Sequence, residues 1–260
     1  EFLMTAQPIS HDSMESTVSP TNVSLTNVSA ASASPANRAQ NVTPKPAQTR
    51  SRSKWNRKRW FWLAVNIGAA LPLLWLGWDA WQGNLSVNPI DDFTDRTGTA
   101  AIIMLMLSLA CTPIVSILGI RIVATARKSL GLWAFVYAAL HMLVFIGLDY
   151  GFNVQFILED GLFQKRYIFV GLISLLIMLP LAITSTKGWM RRLGRKWKML
   201  HRLVYVAGVL AVLHFAWLAK GGRVEPFIYA AVLTLLLVVR IPAVRKSAID
   251  LRRRVTATAS

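Results

Sequence analysis

The chain has 260 residues, of which 54% are hydrophobic and 16% charged, and a formal net charge of +17. A soluble domain carries roughly 25% charged residues, so this composition points to the membrane class. The cations stand in short clusters between long apolar runs, a distribution that suits membrane topology and gives no reason to expect a nucleic-acid partner.

Residues 1–54 form the first element, a basic, Ser/Thr-rich tail with few aromatics that cannot bury enough surface to fold and is expected to be disordered. Its Asn-x-Ser/Thr triplets at Asn22, Asn27 and Asn41 are read as chance in a low-complexity segment. Residues 55–245 are expected to form one transmembrane domain, followed by a basic tail over 246–260.

Six apolar stretches follow the tail, at about 60–82, 98–118, 130–150, 167–186, 199–218 and 226–243, each near the ~20 residues that cross a hydrocarbon core. The expected fold class is therefore all-α, an integral membrane six-helix bundle. The single cysteine, Cys111, lies in the second stretch and reads as a small buried hydrophobe. It cannot form an intramolecular disulfide, and alone it cannot build an iron–sulfur or zinc site.

The links between stretches alternate in charge. Arg50–Arg59, Arg121–Lys128, Lys187–Lys198 and Arg240–Arg254 are basic, whereas 83–97 and 151–166 with their flanks carry Asp91, Asp92, Asp95, Asp149, Glu159 and Asp160. All basic segments share one side of the bilayer if both termini do, and the positive-inside rule makes that side the cytoplasm. Tryptophans at 55, 60, 62, 78, 81, 133, 189, 197 and 217 cluster near the expected helix ends, as interfacial anchors do.

Three of the four histidines, His141, His201 and His214, lie in or at the ends of apolar stretches. Ionisable groups inside a span are costly and usually face the bundle interior or a cofactor. Counting ~1.5 Å per residue from the basic ends puts His141 about 20 Å deep and His214 about 24 Å deep, on helices that run the same way. Paired imidazoles at one depth suit the axial positions of a b-type haem, so His141 with His214 is the expected ligand pair. His201 stands about 5 Å deep and about 140° around the helix from His214, with no fourth intramembrane histidine to pair with. It is expected to ligate a second haem with another partner, to face a quinone or flavin at the cytoplasmic edge, or to sit among lipid headgroups.

The strings "ARKSLGLWAFVYAALHMLVF" and "ITSTKGWMRRLGRKWKMLHRLVYVAGVLAVLHFAW", with "ALPLLWLGW" and "NPI" upstream, resemble the MsrQ (formerly YedZ) family within the wider ferric-reductase-like transmembrane group. The resemblance spans about residues 60–245 and matches His141, His201 and His214 to the family's intramembrane histidines. It implies a haem-binding membrane subunit in the bacterial inner membrane, holding one or two b haems. Such a subunit takes electrons from the quinol pool or from a cytoplasmic flavin reductase. It passes them to a periplasmic MsrP-like molybdopterin enzyme that reduces methionine sulfoxide. The family is also described as binding FMN; Arg191, Arg192, Arg195 and Lys196 in the basic loop are the candidates for a flavin phosphate, although positive-inside charge explains them too. Only a basic tail follows Val244, so electrons are expected from a separate donor. Two other functions fit the same residues: a direct ferric or cupric reductase, and a haem-free transporter or assembly factor. An electron-transfer subunit of this kind would have no complete catalytic site for the final substrate.

Overall fold

The computed structural model describes residues 51–218 and 224–258, and every regular element among them is helical. The tail expected over 1–54 lies, up to residue 50, outside the described residues. Backbone polar groups find no water in hydrocarbon, and a helix satisfies them within one segment. The long apolar runs therefore become α1 (Ser51–Gln82), α2 (Pro89–Pro113), α3 (Ala126–Val144), α5 (Arg166–Ile183), α8 (Leu203–Leu218) and α9 (Glu225–Val238). Short helices fill the links: α4 (Val154–Phe156), α6 (Lys187–Leu193) and α7 (Arg195–Leu200), with α10 (Pro242–Thr258) at the end.

Five segments are long and apolar enough to cross a membrane: Asn56–Gln82, Pro89–Leu118, Arg121–Asp149, Arg166–Ile183 and Arg195–Leu218. The expected sixth span over 226–243 is broken. Its first part, α9, has 14 residues, and α10 leaves it at an angle of 81°. Together they make a sixth span if the bent pair counts as one. Pro242 starts α10, where its missing N–H costs nothing. The protein is thus a multi-pass membrane protein. Its outer surface fits lipid: Leu71, Trp75, Leu143, Leu176 and Leu213 are exposed there although large and apolar.

α2 begins at Pro89, nine residues before the expected start. The signals for it are local: proline at the first helical position and Asp91 and Asp92 in the first turn, where the helix dipole favours negative charge. Asp92 also accepts a hydrogen bond from the Ser86 N–H at 2.6 Å, and an Arg96–Asp79 ion pair ties α2 to α1.

The two most extensive helix pairings are α2 with α3 and α5 with α8. Small residues allow them: Ala134 on α3 and Ala207 on α8 are 0% exposed, so backbones approach closely at both. Ser174 on α5 donates to the Ala207 carbonyl at 2.9 Å across the second pair. α1 packs on α3 through a polar contact, in which the Trp133 indole donates to Asn66 Oδ1 at 3.1 Å.

Two prolines disturb helix ladders, and distant side chains bond to the backbone beside them. Pro113 has no N–H for the Leu109 carbonyl, and Arg240, at the α9–α10 bend, donates to that carbonyl and to the Tyr205 hydroxyl. Pro72 interrupts α1, and there the Tyr137 hydroxyl stands between Leu73 and Ala69.

Candidate functional site

α2, α3, α5 and α8 enclose a cavity of about 230 Å³. Its inner wall is apolar or small, with Leu105, Ala138, Met178 and Ala211 among its residues, and its rim at the acidic end of the bundle carries Thr94, Asp95, Asp149 and Lys165. Lys165 reaches the Tyr150 hydroxyl at 2.9 Å and lies over its ring, 5.5 Å from the centroid.

His141 and His214 face each other across this cavity, with ring centroids 6.2 Å apart and planes at 82°. Each ring is held by a carbonyl of a neighbouring helix. His141 Nδ1 lies 3.0 Å from the Thr94 carbonyl of α2, and His214 Nδ1 lies 2.6 Å from the Tyr167 carbonyl of α5. A carbonyl only accepts, so in each ring Nδ1 carries the hydrogen and donates it. The lone pair of each neutral imidazole is then on Nε2, the nitrogen free to bind a metal.

Two glycines make room for these rings. A Cβ on Gly98 would stand 3.1 Å from two atoms of His141, and a Cβ on Gly171 would stand 2.8 Å from His214 Nδ1. Sequence reasoning passed over both, although glycine in the interior of an apolar helix signals a close approach. It counted Asp95 and Asp149 only as link charges and did not single out Lys165; only the folded helix ends bring the three to one cavity rim.

His141 and His214, the pair expected from sequence depth, both line this cavity. His201 is elsewhere. It sits in the turn between α7 and α8, outside the cavity lining, stacked on Trp197 with centroids 4.0 Å apart. Its Nδ1 donates to the Trp197 carbonyl at 3.1 Å, and its Nε2 is buried without a hydrogen bond among the described residues. Arg191 and Arg192 on α6 and Arg195 and Lys196 on α7 are all exposed, and Arg192 lies over the Trp189 ring at 5.6 Å. None of the four lines the cavity. No cluster of three or more His, Cys, Asp or Glu that could hold a metal ion occurs among the described residues.

Residues 97–212 match the model of the ferric reductase like transmembrane component family. That range covers α2 from Thr97, α3, α5 and most of α8, and it includes His141 and His201. The chain is 45% identical over 186 residues to the protein-methionine-sulfoxide reductase heme-binding subunit MsrQ of Rhodospirillum rubrum, covering 71% of this chain and 89% of that protein. It is 42% identical over 180 residues to the MsrQ of Xanthomonas axonopodis pv. citri, covering 66% and 82%.

Proposed function

The chain belongs to the MsrQ family of heme-binding subunits, and on that basis we propose that it carries electrons through the membrane by a b-type haem held between His141 and His214. The supporting observation is the spacing of the two rings. Two imidazoles that would hold one metal between them need ring centroids roughly 6 Å apart, from a metal–nitrogen bond of about 2 Å at each ring. The observed distance is 6.2 Å.

When bound, the haem supplies one-electron redox chemistry. The protein's own residues do the rest. The Thr94 and Tyr167 carbonyls fix the tautomer and orientation of the two imidazoles and raise their basicity. The apolar wall of Leu105, Ala138, Met178 and Ala211 keeps water away from the macrocycle's place and so sets the surrounding polarity. Lys165 at the rim supplies a cation toward which carboxylate groups of a bound tetrapyrrole would turn.

The electron donor is the quinol pool or a cytoplasmic flavin reductase, and the acceptor is a periplasmic MsrP-like molybdoenzyme that repairs oxidised proteins. The basic end of the bundle, with Arg121, Arg195 and Arg245, faces the cytoplasm with both termini, by the positive-inside rule, and the membrane is the bacterial inner membrane. His201 marks the cytoplasmic level, where its buried Nε2 suits a second haem or an entering donor. FMN, where bound, would place its phosphate among Arg191, Arg192, Arg195 and Lys196.

The test is a reduced-minus-oxidised spectrum and a pyridine haemochrome assay on the purified protein and on His141→Ala and His214→Ala. A b-type band in the parent, lost in both variants, is the expected result. Full haem occupancy in both variants would overturn the ligand pair, and no band in haem-replete parent protein would overturn the electron-transfer function.

A further inference from the structure

The two halves of the cavity repeat one another. The Thr94–His141 and Tyr167–His214 hydrogen bonds each join residues 47 apart in sequence. A single shift of 73 residues takes Thr94 to Tyr167, Gly98 to Gly171 and His141 to His214. The same shift takes Leu105 to Met178 and Ala138 to Ala211, all four of them in the cavity wall. It also takes Ala134 to Ala207, two alanines that are both 0% exposed. α2–α3 and α5–α8 therefore place matching residues around the cavity at one constant sequence offset, the pattern that parallel repeats show.

Within each helix pair the device is the same: a backbone carbonyl binds the ring's Nδ1–H, and four residues on, one helical turn further, a glycine leaves the room the ring occupies. We propose that Gly98 and Gly171 are paired positioning residues, which set the orientation of His141 and His214, the two side chains that would hold one haem. This rests on the ligand pair proposed above. The two glycines differ in tightness. A methyl at position 171 would meet His214 Nδ1 at 2.8 Å and Cε1 at 2.9 Å, too close without movement of the ring. At position 98 the nearest His141 atoms are at 3.1 Å, where a displacement of a few tenths of an ångström suffices. The rings cannot give way freely, because each is also tied to its carbonyl.

The experiment compares Gly171→Ala, Gly98→Ala and Gly68→Ala in the full chain, with haem added during expression. Gly68 has nothing within 4 Å of where its Cβ would stand and serves as the control. Ferric spin state is read by optical and EPR spectra and haem per polypeptide by pyridine haemochrome. Gly171→Ala should shift much of the ferric haem from low to high spin and weaken haem binding by about 10- to 100-fold, the usual cost of disturbing a ligand's supporting contacts. Gly98→Ala should keep its haem but alter the low-spin EPR signal. Gly68→Ala should match the parent. Parental spectra in both Gly171→Ala and Gly98→Ala would overturn the inference, as would equal losses in all three variants. If Gly171→Ala is not recovered from membranes, the EPR signal of Gly98→Ala decides. Retention of low-spin haem in His141→Ala and His214→Ala would instead sink the ligand pair itself, so the two failures are distinct.

Discussion

The Tyr137 hydroxyl donates to the Ala69 carbonyl at 2.7 Å while it accepts the Leu73 N–H at 3.2 Å. Those two backbone groups are four residues apart, and an unbroken helix would bond them directly. Pro72 stands between them, and a side chain from α3 bridges the opened ladder at a point 1% exposed. α1 is thereby fixed to the helix that carries His141. Tyr137→Phe should strand both groups and cost about 1–3 kcal/mol, seen as a lower unfolding temperature in detergent. An unchanged temperature would show that the bridge contributes nothing to stability.

Arg240 plays the corresponding part for α2, at the carbonyl that Pro113 leaves free. Arg240→Gln keeps a donor but shortens the reach and loses the contact with the Tyr205 ring, whose centroid lies 4.7 Å from the guanidinium carbon. The expected effect is a loss of about 1–3 kcal/mol. Protease cleavage should also rise near residues 239–241, where α9 meets α10. Arg240→Lys should not rescue, because an ammonium lacks the planar fork that reaches two acceptors.

Ala138 lines the cavity wall. Ala138→Leu adds bulk where a macrocycle would lie and should reduce haem per polypeptide by several-fold, measured by pyridine haemochrome. Val136→Leu, on the same helix but 39% exposed, should leave haem content at the parental level. Equal haem in both variants would place the haem outside this cavity.

His201 is separated from the cavity, so His201→Ala should spare the spectrum of the haem between His141 and His214. It should slow reduction from the cytoplasmic side, followed by stopped-flow absorbance in oriented vesicles. Parental reduction rates would return His201 to a packing role with Trp197.

Much of this molecule was legible from one dimension. Hydropathy run length locates the spans because hydrocarbon demands about 20 apolar residues and internally bonded backbone. The similar depths expected for His141 and His214 follow from the fixed rise per residue, counted from the basic segment that precedes each helix. Less was legible where neighbouring elements compete. The start of α2 lies nine residues earlier than hydropathy indicates, because a helix N-terminus tolerates Pro89, Asp91 and Asp92 that an apolar-run criterion rejects.

By itself, then, the order of residues determined the all-helical membrane class, the charge alternation of the links and the histidines available at one depth. Those properties depend on composition and on distance along a single helix. Only the tertiary structure decided that the two imidazoles meet, that carbonyls of α2 and α5 orient them, and that glycines on those helices stand behind them. Such relationships depend on how each helix is rotated about its axis against its neighbours, and that rotation is chosen by the packing of the whole bundle.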